Sequence, residues 1–191
     1  MKSVAVTGHT DGIGLELFLH YLSKGMTMVG FSRRTGYDIS QDLHRKRILE
    51  KSQDCDMFIN NAYHRGKKEN YQFMLFEEMF NLWKDKDKII VNISSTAGDF
   101  PHPARSYNTN KNQLDQRCNQ LSNQKHQVQI INIKPGYTDT PHVALINEPK
   151  LKPHSISAVL DYILDFRQQG RISSITVYPN LDVDSPSKSL L

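Results

Sequence analysis

The chain has 191 residues, of which 38% are hydrophobic and 23% charged, and a formal net charge of +4. That is the composition of one soluble globular domain with enough apolar material for a core. The low net charge argues against disorder, and 10 Gly and 2 Cys exclude collagen-like and disulfide-scaffold classes.

Residues 4–6 read as a buried strand that stops at Thr7-Gly8. Apolar positions 13, 15, 17, 18, 19 and 22 predict a helix over 13–23. Residues 26–31 form a second strand, 33–40 a short connection and 43–51 a short charged helix. A third strand over 56–59 ends at Asn60-Asn61. The stripe 73, 75, 76, 79, 80, 82 and 83 predicts an amphipathic helix over 71–83. A strand over 88–93 closes on Ser94-Ser95. A helix over 107–121 follows, then a strand over 128–133 stopped by Pro135-Gly136. A helix over 156–166 and a strand over 172–178 complete the pattern, and the polar tail 179–191 is loosely held.

Strands alternating with helices predict one α/β domain over 1–191. Its architecture is a Rossmann-like, doubly wound parallel β-sheet with helices on both faces. Ligands of such sheets bind beyond the C-terminal ends of the strands, where strand order reverses. Thr7-Gly8, Ser32-Arg33, Asn60-Asn61, Ser94-Ser95 and Pro135-Gly136 all fall at such ends.

No apolar run approaches the ~20 residues of a membrane span, and the N-terminus lacks a secretory pattern. Cys55 and Cys118 form no CxxC, so a reduced, cytoplasmic protein is expected, with no membrane partner. The pI near 9.0 comes from Lys and Arg scattered without a block of five, so no nucleic-acid partner is expected. The 8 His show no metal-ligand spacing, and no metal is expected.

Thr7-Gly8-His9-Thr10-Asp11-Gly12-Ile13-Gly14 joins the first strand to the first helix. Gly8 allows a tight turn, Gly12 a close backbone approach to a pyrophosphate, and Gly14 close helix–strand packing. The helix N-terminus offers unpaired N–H groups to phosphates. The second strand ends Ser32-Arg33, with no carboxylate to accept from an adenosine ribose and an arginine suited to a 2′-phosphate. Tyr107 and Lys111 stand one helical turn apart on one face, where an ammonium favours the phenolate.

The spacing Thr-Gly-x-x-x-Gly-Ile-Gly resembles the compact branch of the short-chain dehydrogenase/reductase family. Five motifs occur in that family's order between Lys2 and Tyr178. The resemblance implies a Ser-Tyr-Lys constellation in Ser95, Tyr107 and Lys111. Ser95 matches the motif and lies twelve residues before Tyr107, while Ser94 lies at the family's usual thirteen. A fourth catalytic member, an asparagine, would be Asn70 or else Asn81, although Asn70 reads equally well as a helix N-cap. Asp38-Ile39 and Asn61-Ala62 resemble adenine-side segments, with Tyr63 in place of the family's glycine. Pro135, Gly136, Thr138 and Thr140 resemble the segment that holds the nicotinamide carboxamide and the phosphates. Asp11 stands where NADP-preferring members often carry a basic residue.

The resemblance implies hydride transfer between a nicotinamide cofactor and a small-molecule carbonyl/alcohol pair. NADP(H) is preferred, with NAD(H) as the alternative, in a homodimer or homotetramer. His64, Arg65, Lys67, Lys68, His102, Arg105 and His142 lie in loops and either favour an anionic substrate or are ordinary solvated charges. A non-catalytic NADP(H) sensor and a nucleotide-sugar epimerase or dehydratase are the rival readings. The family's usual helix directly after the second strand is missing from this chain, and little chain remains between Thr140 and the last helix.

Overall fold

The computed structural model describes residues 1–64, 69–102 and 104–180. Six strands form one parallel sheet in the order β2-β1-β3-β4-β5-β6. They are β1 (Ser3–Thr7), β2 (Thr27–Phe31), β3 (Met57–Asn60), β4 (Ile89–Ile93), β5 (Gln129–Pro135) and β6 (Ser174–Val177). The helices are α1 (Gly12–Ser23), α2 (Asp42–Ser52), α3 (Tyr71–Trp83), α4 (Ser106–Ser122) and α5 (His154–Phe166). Strand order reverses between β1 and β3, so the crevice of this doubly wound sheet opens there.

Alternation along the strands sends successive side chains to two cores. Ala5, Phe58, Ile90 and Ile130 face α2, α3 and α4, where Ile48, Phe76, Trp83 and Leu114 cover them. Val4, Val6, Ile59, Val91 and Ile133 face α1 and α5, against Leu17, Tyr21, Ile156 and Leu160. Both faces are covered, which is why the strands read as unbroken apolar runs. Trp83 is fully buried and meets Phe58 edge-on, with ring centroids 6.4 Å apart.

Three details differ from the expected elements. The strand expected to end at residue 133 continues to Pro135, because Gly136 N–H donates to Val177 O at 2.8 Å and carries the ladder past the proline. The last strand is confined to Ser174–Val177. Between β2 and Asp38 there is only one 3-10 turn, Arg33–Thr35, ended by Gly36 with φ 85°. Ser32 caps this turn, its N–H donating to Thr35 Oγ1 at 3.1 Å. Other 3-10 turns follow β4 (Thr96–Asp99) and precede α5 (Pro141–Val143). No helix among the described residues is long and apolar enough to cross a membrane.

Gly14 is the tightest backbone approach. A Cβ there would lie 2.2 Å from Gly8 O and 2.4 Å from Asn61 Nδ2. Gly25 has φ 77° but nothing within 4 Å of a Cβ, so its substitution meets only left-handed strain. Gly14→Ala is expected to cost about 3 kcal/mol and Gly25→Ala about 1 kcal/mol, read from urea midpoints. Equal losses in the two variants would show that the Gly14 contact yields without cost.

Candidate active site

The loop after β1 turns on Gly8 (φ 73°) and Gly12 (φ 53°), positions that an L side chain rarely adopts. A Cβ on Gly12 would stand 3.0 Å from Thr140 Cγ2, so the loop after β5 closes over the glycine loop. Asp11 is the extended N-cap of α1, yet its side chain accepts no helix N–H, and the first turn holds no acid. The start of α1 therefore offers backbone donors and a positive dipole end without a side chain competing for them. Thr7 and Asn61 fix this loop to β3. Thr7 Oγ1 accepts from the N–H groups of Asn61 and Ala62, both at 3.0 Å, and Asn61 Nδ2 donates to Thr7 O at 3.0 Å.

A cleft of about 1140 Å³ runs along the C-terminal ends of the strands. It brings together Gly8, Thr10, Asp11, Ile13, Ser32, Arg33, Asp38, Ile39, Asn61 and Ala62. Ser95, Tyr107, Lys111, Pro135, Gly136, Thr138 and Thr140 also line it. Gly12 and Gly14 belong to the same loop and helix start but are not among the residues that line the cleft. Arg34, which also lines the cleft, donates to Thr10 O at 3.3 Å. Burial alone would raise the Asp38 carboxyl. The Ser40 N–H at 2.9 Å, the Ser40 hydroxyl and the nearby His64 and Arg33 outweigh this and hold it below the usual carboxylate range.

Lys111 is buried on α4. Its Nζ donates to Gln72 Oε1 and to Ile93 O, both at 2.8 Å. Burial pushes its pKa down to about 7, against an opposing pull from Asp115. The amine lies 5.5 Å from the Tyr107 ring centroid and 5.4 Å from that of Tyr63. The two tyrosine rings meet edge to face at 4.9 Å. Tyr63, standing where the resembling motif has glycine, thus packs on Tyr107, and its Oη accepts from Asn110 Nδ2 at 3.1 Å.

Ser95 Oγ accepts from Ala97 N at 3.2 Å, which leaves its O–H to donate. Ser94 also lines the cleft, with a buried Oγ that has no hydrogen-bond partner among the described residues. Asn70 does not line the cleft. It N-caps α3, accepting from Phe73 N at 3.2 Å, and donates to Asn110 O at 2.7 Å and Gln113 Oε1 at 3.0 Å. Its side chain is committed to joining α3 to α4. Asn81 is exposed on α3 and also lies away from the cleft. His64, Arg105 and His142 line the cleft, and His102 does not. Arg65, Lys67 and Lys68 fall outside the described residues.

Gln72 is the site residue that motif reading misses. It sits on the buried face of α3 with Leu75, Phe76, Met79, Phe80 and Trp83. An amide at that place in an apolar stripe is the signal that marks it.

No family model matches the sequence, and no curated protein matches it. Solved structures do. A 4-hydroxyisoleucine dehydrogenase complexed with NADH is 17% identical over 97% of this chain and 100% of its own, with a TM-score of 0.76. The closed form of a serine dehydrogenase complexed with NADP+ is 17% identical over 96% and 100%, TM-score 0.74. A short-chain dehydrogenase from Burkholderia cenocepacia J2315 in complex with NADP is 21% identical over 95% and 90%, TM-score 0.70. This chain has the fold of the short-chain dehydrogenases, built on a parallel sheet of six strands.

Proposed function

We propose that the protein is an oxidoreductase of the short-chain dehydrogenase/reductase family, using a nicotinamide cofactor to interconvert a carbonyl and an alcohol. The observation that carries this reading is the meeting of Ser95, Tyr107 and Lys111 in one cleft with an α1 N-terminus that no side chain caps. The residues present fit a dinucleotide. The positive-φ glycines and the bare helix end suit its pyrophosphate. Pro135, Gly136, Thr138 and Thr140 line the same cleft.

A nicotinamide cofactor held there supplies the hydride donor or acceptor. The Ser95 O–H hydrogen-bonds to the substrate oxygen, keeping its proton, and places that oxygen beside Tyr107. The Tyr107 hydroxyl gives a proton to that oxygen in reduction and takes it back in oxidation. The charged form of Lys111, 5.5 Å from the ring, favours the phenolate. Arg33, exposed at the end of β2, is placed to pair with a 2′-phosphate, so NADP(H) is preferred over NAD(H). Arg105 and His142, which line the cleft, favour an anionic substrate such as a carboxylate or phosphate. The names of the 4-hydroxyisoleucine and serine dehydrogenases point to carboxylate-bearing substrates in proteins of the same fold. A cytoplasmic homodimer or homotetramer completes the reading.

Titration with NADPH and NADH, followed by nicotinamide fluorescence, tests the cofactor. Arg33→Ala is expected to weaken NADPH about 10- to 100-fold, as loss of a charge-assisted contact does, and to leave NADH nearly unchanged. Stronger binding of NADH by the wild type would move the assignment to NAD, and binding of neither would end the oxidoreductase reading.

A panel of carbonyl compounds tests the chemistry. Tyr107→Phe is expected to lower kcat at least about 100-fold while cofactor binding persists. Arg105→Ala is expected to raise KM for carboxylated substrates and not for their methyl esters. NADPH binding with no turnover on any member would turn the reading to a cofactor sensor.

Lys111 also sets a pH dependence of stability. Its pKa is about 7 when folded against an ordinary 10.5. Between those values the unfolded chain binds a proton that the folded chain lacks, so stability rises with pH, by at most about 1.4 kcal/mol per unit. Below about pH 7 both states carry the charge and the contribution is flat. Denaturant midpoints should therefore show wild type gaining on Lys111→Met from pH 7 to pH 10. A constant gap would mean that the Lys111 amine titrates normally.

A further inference from the structure

We infer that Gln72 is a positioning residue of this site: its side-chain carbonyl, locked in orientation by the protein backbone, holds the Lys111 amine beside Tyr107 and supports its charged form. The inference rests on the reading of Tyr107 and Lys111 as the proton-handling pair. Gln72 is 1% exposed on α3. Its Nε2 donates to Asn60 O at 2.8 Å and to Ile93 O at 3.0 Å. A flipped amide would press its carbonyl oxygen against those two carbonyl oxygens, so the hydrogen bonds fix which end faces which way. Oε1 is thereby turned to Lys111 Nζ at 2.8 Å. The backbone of Gln72 is held as well, its carbonyl accepting from Asn60 Nδ2 at 3.0 Å.

The chemistry of the amine makes this contact matter. An ammonium has three N–H donors and no acceptor. Gln72 Oε1 and Ile93 O take two of them, which leaves one for the cleft that Lys111 lines. No carboxylate is within salt-bridge distance of Nζ among the described residues. The titratable groups that bear on it are Tyr63, Tyr107 and Asp115. From α3 it meets Gln72, and from β4 the Ile93 carbonyl. A buried cation without an ion-pair partner depends on neutral acceptors, and Gln72 is the one acceptor here that a substitution can change.

The test is the ionisation of the Lys111 amine, followed through its side-chain ¹⁵N signal in the whole protein across pH 5 to 11. The assignment comes from the signal lost in Lys111→Arg. Gln72→Met removes the acceptor and is expected to lower the pKa by about one unit, a tenfold change in the acid constant. Gln72→Glu keeps an acceptor facing the amine, its other oxygen protonated against Asn60 O and Ile93 O, and is expected to hold the value at or above that of wild type. A purely structural role predicts no fall in Gln72→Met, or an equal fall in both variants, and either result overturns the inference. Should Gln72→Glu not fold, Gln72→Met decides alone: a fall supports the role, and an unchanged or raised value removes it. The readout needs no cofactor or turnover. Failure of the oxidoreductase reading would appear as absent cofactor binding in wild type, and failure of this inference as an unmoved titration.

Discussion

The site depends on how the chain closes the gap where the sheet reverses. Strands β1 and β3 are neighbours, but the segments leaving them go opposite ways, and backbone groups at their ends lose ladder partners. Thr7 and Asn61 supply replacements. The Thr7 hydroxyl accepts from two successive N–H groups, and the Asn61 amide reaches back to Thr7 O. That clasp sets the floor on which Gly8 turns. It also leaves no room for a side chain at Gly14, so α1 starts directly over the end of the sheet. The helix end then faces the cleft because the clasp puts it there. A larger residue at Gly14 would move both the helix and its dipole away from any bound phosphate.

A buried polar layer packs against the α4 face that carries Lys111. Asn60, Asn92 and Asn132 stand in register across β3, β4 and β5. Asn60 Nδ2 donates to Asn92 Oδ1 at 2.9 Å, Asn92 Nδ2 to Cys118 Sγ at 3.3 Å, and Asn132 Nδ2 to Asp115 Oδ1 at 2.8 Å. On α4, Lys111, Asp115 and Cys118 follow at helical spacing, so one helix face meets the whole row. Burying these groups is favourable only when their hydrogen bonds are made in one arrangement, and a one-residue slip of any of the three strands would break several. The same layer that supports Lys111 therefore also fixes strand register. Lys134 extends it outward, pairing with Asp99 and lying 3.7 Å from Asp115, which ties the turn after Ser95 to β5.

The fold was legible because its signals are local and repeated. Apolar runs gave the strands, and the stripe of α3 gave that helix to the residue. The glycine loop and the Tyr-Lys pair could be placed because each motif sits at the junction of two readable elements. What motif reading could not supply were contacts between distant segments. Gly30 looks like a weak strand residue, yet a Cβ there would stand 2.5 Å from the His9 ring, so the glycine makes room for that ring. Asn70 offered a cap and a catalytic role on equal terms, and only the position of α4 shows where its amide goes. Gln72 matches no motif, although its place on a buried stripe is itself a sequence feature. Tyr63 was visible as a departure from the glycine of the resembling motif, but its partner, the Tyr107 ring, lies 44 positions away in sequence.

The short connection between Thr140 and α5 bears on how a ligand of this cleft would be recognised. Thirteen residues separate Thr140 from α5, and the cleft is bordered by Phe100, Tyr137 and Tyr178, which are 71%, 47% and 63% exposed. A cleft bounded by exposed rings gains little selectivity from enclosure, because a ligand buried on one side removes only part of its apolar surface from water. Charge acts across an open site with less demand on shape, and Arg105, His142 and Glu148 are among the charged or titratable side chains that line this cleft. On the proposed oxidoreductase reading, selection would rest on where a substrate carries its charge relative to its carbonyl more than on the size of the remainder.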